Sequence, residues 1–132
     1  VQHAAQPAIN TAAARVFDRA GLSLIRAPGA GCCGALPHHL GAHDEALACA
    51  RRNIDAWTPL LDRGHVAGVF CASSGCSTML KDYAHLLADD PVYAARAAAL
   101  AGRVRDSTEF APALKLAPRA AATVAVQAPC SL

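Results

Sequence analysis

The chain has 132 residues and a mass of 13.5 kDa, which suits a single domain with a buried core. Its formal net charge is only +2 and no basic cluster is present, which argues against nucleic acid as a partner. Residues 1–10 lack the charged region and the apolar region of an export signal. No segment has the ~18 uninterrupted apolar residues that a membrane span needs. The six cysteines therefore favour free thiols or metal ligands over disulfides.

Predicted helices and strands alternate along the chain. Apolar spacing of three and four, together with Asp90-Pro91 as a helix start, predicts helices at residues 9–20, 43–63, 77–88 and 90–103. Short apolar runs predict strands at residues 22–25, 66–70 and 122–128, the last of them after a proline-broken loop. This order predicts an α/β fold, a Rossmann-like parallel sheet with flanking helices.

Five of the six cysteines come directly after a predicted strand. They are Cys32 and Cys33 after the first strand, Cys71 and Cys76 after the second, and Cys130 after the third. Ligands of parallel sheets gather at the carboxyl ends of the strands, so we expect these five cysteines along one edge. Cys49 lies within a predicted helix, and we interpret it as structural.

The adjacent pair Cys32-Cys33 favours an iron–sulfur cluster, because thiolate sulfur is the usual ligand of such clusters. Two adjacent cysteines reach one cluster only if the backbone turns sharply, and Gly31 and Gly34 permit such a turn. Gly75, directly before Cys76, is expected to serve the same purpose in the second loop.

The segment Gly31-Cys32-Cys33-Gly34, followed by Ser74-Gly75-Cys76, resembles the cysteine-rich domain of the heterodisulfide reductase superfamily. The repeated motif of that superfamily is one cysteine, a long gap, Cys-Cys-Gly, a second long gap and Cys-x-x-Cys. Within it, the segments "GAGCCGALPHHLG", "ARRNIDAW" and "SGCSTMLKDYAHLLADDPVYA" are most similar to the iron–sulfur subunit of glycolate oxidase. The likeness covers nearly the whole chain.

The resemblance implies a set of site residues. Cys32, Cys33 and Cys76 correspond to cluster ligands, and the glycines Gly31, Gly34 and Gly75 to residues beside the cluster. Ser73 stands where the motif has its other late cysteine, so Cys71 is an alternative ligand at a different spacing.

The resemblance also implies that the chain is one cysteine-rich repeat of a two-repeat parent. Residues 1–121 would form the first cysteine-rich domain, truncated before Val1, where the opening cysteine of the motif would stand. Residues 122–132 would then be the opening strand of the second repeat, with Cys130 as a ligand of that repeat. We expect both ends of the chain to be cuts, and the parent to carry an N-terminal ferredoxin-like region.

By the same resemblance, the function is electron transfer within glycolate oxidase, which converts glycolate to glyoxylate. FAD would lie on partner subunits, and a 4Fe-4S cluster on this chain would pass electrons from those flavin subunits towards a membrane acceptor. The expected location is the cytoplasm, either free or peripheral at the inner face of the cell membrane. No catalytic residue is expected on this chain, and the isolated fragment is expected to be inactive alone.

Other interpretations stay open. The chain could belong to a related complex that oxidises lactate or glycerol-3-phosphate, because the donor is oxidised elsewhere. Cys32, Cys33, Cys71 and Cys76 could hold zinc, although adjacent cysteines are unusual in zinc sites. Cys32-Cys33 could be a redox pair, although vicinal disulfides are strained, or the site could be vestigial within a scaffold. His38 and His39 follow closely enough to assist a cluster, but such histidines more often face solvent or cap a helix.

Overall fold

A computed structural model describes residues 6–110 of the chain. Within that range the elements are, in order, α1 (Pro7–Arg19), α2 (Ala35–His39), α3 (His43–Asp62), β1 (Val69–Cys71), α4 (Ser74–Lys81), α5 (Tyr83–Leu86), α6 (Ala94–Ala101), β2 (Val104–Asp106) and α7 (Ser107–Phe110). The architecture is mixed helix with a small parallel sheet, which is consistent with the predicted α/β class. None of the helices in this range combines the length and the apolar character that crossing a membrane requires.

The first predicted helix is confirmed and the strand predicted after it is wrong. Helix α1 has Pro7 in its first turn and ends before Gly21, which has a φ of 76°. Residues 22–25 form no strand, and the side chain of Ile25 is 62% exposed. Among residues 6–110, no strand lies beside this segment to pair with its backbone N–H and C=O groups. The apolar sequence alone is therefore not enough to form a strand here.

Helix α3 is the longest element, and its predicted bounds are confirmed to within one residue. Asp44 and Glu45 lie in its first turn, where a negative charge suits the helix dipole. Its buried face includes Ala46, Ala50 and Ile54, each with no exposed surface. This face lies under the cysteine turn described below.

The sheet of the described residues has two parallel strands, with Val69 opposite Val104 and Cys71 opposite Asp106. Strand β1 confirms the strand predicted at 66–70, shifted towards the carboxyl end, whereas β2 was not predicted. A Cβ atom at Gly68 would lie 2.6 Å from the carbonyl oxygen of Arg103, so the strands approach closely here because residue 68 is glycine. The strand predicted at 122–128 lies outside the described residues.

The helix predicted at 77–88 is broken into two. Helix α4 ends at Lys81 and α5 begins at Tyr83. The helix predicted from Asp90 begins only at Ala94, because residues 91–93 form a turn. Oδ1 of Asp90 does accept hydrogen bonds from the backbone N–H groups of Val92 and Tyr93, at 3.0 and 3.1 Å, as a cap would.

The core is built from closely packed helices. Ala50 of α3 and Ala97 of α6 are fully buried, and their small side chains let the two helices pack into one cluster with Tyr83, Leu100 and Val104. The three phenylalanines of the chain form a separate cluster in which Phe17 meets Phe70 and Phe110, with ring centroids 4.8 and 5.0 Å apart. This cluster attaches α1 and α7 to β1.

Two ion pairs connect α3 to the segment that precedes and forms α6. Arg51 donates two hydrogen bonds to Oδ2 of Asp90, at 3.0 and 2.8 Å. Arg96 donates to Asp55 at 2.8 Å, and the ring of Tyr93 lies beneath both guanidinium groups, at 5.8 and 5.1 Å. The hydrogen bonds from Arg51, together with the backbone bonds, hold the pKa of Asp90 below its ordinary value of 3.8.

We expect Asp90→Asn to lower the free energy of unfolding near neutral pH and to lower it by a smaller amount at acidic pH. A carboxylate with a lowered pKa in the folded state stabilises the fold above pH ~4, and this contribution is lost as the pH falls through the folded value. Urea unfolding of wild type and variant should therefore show a stability difference at pH 7 that narrows towards pH 3. Asp62→Asn, which removes an exposed carboxylate of α3, controls for the change in net charge. A stability difference between wild type and Asp90→Asn that stays constant from pH 7 to pH 3 would contradict the lowered pKa of Asp90.

Candidate functional site

Two separate segments bring three cysteine thiols together. One is the turn at residues 31–34, which precedes α2, and the other is the connection from β1 into α4. Cys33 is buried, and Cys76, in the first turn of α4, packs against the same core and interacts with the Cys33 thiol. Cys71, at the end of β1, also interacts with Cys76, and its thiol approaches the carbonyl oxygen of Ser73 at 3.5 Å.

The pKa values of the three thiols are shifted in opposite directions. Hydrogen bonds from Cys33 and Cys71 lower the pKa of the Cys76 thiol far below its ordinary value of 9.0. The same bonds, followed by burial, raise the pKa of both donors well above 9.0. The three neighbouring sulfurs form an electron-rich surface suited to a soft metal group.

The described thiols do not form a site for one metal ion. Among residues 6–110, no three or more His, Cys, Asp or Glu side chains are grouped so that they could hold such an ion. Cys76 is the common neighbour of the other two thiols. The alternative of a tetrahedral zinc ion thus gains no support from this part of the chain.

The predicted glycine turn is present at Gly34 and absent at Gly75. Gly34 has a φ of 89°, and a Cβ atom there would lie 3.1 Å from both the carbonyl oxygen of Ala46 and the Cβ atom of Cys49. Glycine is therefore needed for the backbone conformation and for the close approach to α3. Gly75 instead lies inside α4, without a positive φ and with open space beside it.

Gly31 makes a different contribution from the predicted turn. Its φ is not in the left-handed region, so backbone conformation alone does not require glycine. A Cβ atom there would lie 2.8 Å from Nη2 of Arg52, a flexible side chain that also donates to the carbonyl oxygen of Cys32 at 3.2 Å. The small residue leaves room for the guanidinium group beside the cysteine turn.

Asn53 and Tyr83 hold the backbone of the cysteine turn, and neither side chain has exposed surface. Oδ1 of Asn53 accepts from the N–H group of Gly31 at 2.8 Å, and Nδ2 donates to the carbonyl oxygen of Cys32 at 2.9 Å. Nδ2 also donates to Oη of Tyr83 at 3.0 Å, and that hydroxyl donates to the carbonyl oxygen of Cys33 at 2.7 Å. Burial raises the pKa of Tyr83 well above its ordinary value of 10.0, so the hydroxyl remains a donor at neutral pH.

The sequence contains an indication that Asn53 has a buried hydrogen-bonding role, although the sequence analysis concentrated on the cysteine motif. Asn53 lies on the buried stripe of α3, between Ala50 and Ile54, where an apolar residue would be expected. A polar side chain within an apolar stripe indicates a buried hydrogen-bond partner. Tyr83 gives no such signal, because a tyrosine is common among the apolar residues of a buried helix face.

The remaining candidate residues lie in varied positions. Cys32 is exposed beside the buried Cys33, and Cys49 is buried in α3, as expected of a structural cysteine. His38 and His39 lie in α2, and the described ring contacts of His38 are with His39 and His43, at 5.9 and 5.7 Å. Cys130 lies outside the described residues, so its predicted role in a second repeat stays a prediction.

Comparison with known proteins places the chain in a family. Residues 1–81 match CCG, described as a cysteine-rich domain. The chain is 41% identical over 129 residues to the "Glycolate oxidase iron-sulfur subunit" of Escherichia coli (strain K12), which covers 96% of this chain and 31% of that protein. It is 35% identical over 97 residues to the "Probable glycolate oxidase iron-sulfur subunit" of Bacillus subtilis (strain 168), which covers 74% of this chain and 21% of that protein.

A more distant relative carries a different name. The chain is 29% identical over 104 residues to "Lactate utilization protein A" of an Exiguobacterium species, which covers 79% of this chain and 41% of that protein. The chain thus spans well under half the length of these relatives, and no solved structure matches it. Because the family match takes in more than half of the chain, with Cys32, Cys33 and Cys76 inside it, the chain belongs to the CCG family of cysteine-rich domains.

Proposed function

We propose that this chain is the cluster-binding part of an iron–sulfur electron-transfer subunit. The observation that carries the proposal is the meeting of the Cys33, Cys71 and Cys76 thiols, from two separate segments, in a member of the CCG family. Two relatives named as iron–sulfur subunits, matched along most of this chain, support it.

The donor set fits an iron–sulfur cluster. Its neighbouring atoms are thiol sulfurs, which are the ligands that such clusters use. A cluster of several irons offers each cysteine a different metal atom, so its ligands need not converge on the single point that one ion requires. When bound, a cluster of this kind accepts and passes on single electrons.

The ligand roles fall to four cysteines of the chain. Cys33 and Cys76 face each other across the two segments, and Cys32 adds a thiol at the exposed end of the same turn. Ser73 stands where the motif has a cysteine, and Cys71 takes over the role of that missing ligand. The thiol of Cys71 already contacts both Cys76 and the backbone of Ser73. The buried Cys33 restricts access of water, whereas the exposed Cys32 marks the side for electron exchange. We propose a 4Fe-4S cluster on this basis.

For the whole protein we propose glycolate oxidation to glyoxylate, with FAD on partner subunits and electrons passed through this subunit to a membrane acceptor. The relative of 41% identity, named as a glycolate oxidase subunit, supports this substrate. The subunit would work in the cytoplasm, either free or docked at the inner face of the membrane. Lactate is the second candidate substrate, because relatives at 29–30% identity are named for lactate utilization.

We also propose that the domain extends past the family match, to residue 121, as a Rossmann-like unit. Strand β2 lies beyond residue 81, yet it pairs with β1, and Val104 is fully buried in the same core. Residues 122–132 would open a second repeat to which Cys130 belongs, and the cysteine that opens the first repeat would precede Val1.

We expect the full-length subunit, purified without oxygen, to contain about four irons and four labile sulfides more than its ferredoxin-like region and its second cysteine-rich repeat can hold. Cys33→Ala and Cys76→Ala should remove this excess, because each deletes a cluster ligand. Cys49→Ala, which also removes a buried thiol, is the matched control and should retain it. A wild-type protein without the excess would overturn the proposed function, as would loss of equal size in all three variants.

The role of Cys71 can be tested by exchanging it with Ser73. We expect Cys71→Ser to reduce the excess iron, and the double variant Cys71→Ser/Ser73→Cys to restore it, because the second change rebuilds the Cys-x-x-Cys spacing of the motif. Iron and sulfide are measured by colorimetric assay on protein prepared without oxygen. Full iron content in the Cys71→Ser variant would show that Cys71 is not a ligand.

A further inference from the structure

The buried pair Asn53 and Tyr83 acts on the two peptide groups that carry the cysteines. The carbonyl oxygen of Cys32 is held by Asn53 and that of Cys33 by Tyr83, at 2.9 and 2.7 Å. The pair is also joined internally, through the 3.0 Å bond from Nδ2 of Asn53 to the Tyr83 hydroxyl. Helix α3 and the start of α5 thus hold consecutive peptides of one turn.

Fixing both carbonyls fixes the side chain between them. Peptide groups are planar, and no cis peptide occurs among the described residues. The N–H groups of Cys33 and Gly34 therefore point away from the side on which Asn53 and Tyr83 lie. With both peptide planes set, the backbone torsions of Cys33 are set as well, and so is the direction of its Cβ atom. This direction is the one in which its sulfur meets Cys76.

We propose that Asn53 and Tyr83 are positioning residues for the cluster, which keep the sulfur of Cys33 directed at the site. The inference rests on the proposed function, because it concerns how the same thiols hold the cluster. Neither residue is a ligand. Tyr83 acts through the carbonyl of Cys33, and Asn53 acts through the carbonyl of Cys32 and the N–H group of Gly31.

The two tyrosines of the chain provide a matched experiment. Tyr83→Phe removes the hydroxyl that holds Cys33, whereas Tyr93→Phe removes a hydroxyl that donates to the exposed Asp55 at 2.9 Å. In the full-length subunit we expect iron release to a chelator to be about tenfold faster in Tyr83→Phe, the change expected for one lost buried hydrogen bond. The electron paramagnetic resonance signal of the cluster should also change. Tyr93→Phe should match wild type in iron release and in the resonance signal. A Tyr83→Phe variant that matches wild type in both measurements would overturn the inference.

A second measurement needs no cluster. In metal-free protein under native conditions, we expect Cys33 to be alkylated about tenfold faster in Tyr83→Phe than in wild type, because the turn opens locally. The Tyr93→Phe variant is the control, and its Cys33 should be alkylated at the wild-type rate. Equal acceleration at Cys33 in both variants, or no acceleration in Tyr83→Phe, would overturn the inference. Absence of iron from wild type would instead overturn the proposed function, while the alkylation rates still decide the role of Tyr83.

Discussion

Three hydrogen bonds made by Asn53 and Tyr83 hold the turn on which the site depends, and a fourth joins these two side chains to each other. Each buried polar group left without its partner would cost about 1–3 kcal/mol, so the turn has few alternative conformations. Gly34 adds a second constraint, because its positive φ and its closeness to α3 exclude a side chain. The direction of Cys33, and hence its meeting with Cys76, follows from these two constraints together.

The chemistry of the site follows from how its sulfurs are distributed. The neighbouring thiols lower the pKa of Cys76, whereas the pKa values of Cys33 and Cys71 are raised. Binding of a cluster would replace thiol protons with iron, so loading of the site and release of protons are coupled. This behaviour fits an electron-transfer group held between two chain segments.

The sequence predicted those features that depend on local pattern. Helix α3 was predicted because its apolar stripe is visible in the sequence, and Cys71 does lie at the carboxyl end of a strand. Residues 22–25 have a strand-like composition, but pairing needs a neighbour that the sequence does not reveal. The three-residue β2 is too short for a periodic signal, and its pairing with β1 is a long-range contact. The hydrogen bond from Tyr83 to Cys33 was missed for the same reason, since the two residues are 50 positions apart.

The central claim, that Cys33 and Cys76 hold a cluster of several irons, is tested most directly by Mössbauer spectroscopy of the full-length subunit labelled with iron-57. The spectrum of the wild-type protein should contain a component from sulfur-coordinated, magnetically coupled irons that is missing when both cysteines are replaced with alanine. Identical spectra from the two proteins would contradict the account, because every iron would then lie outside this site.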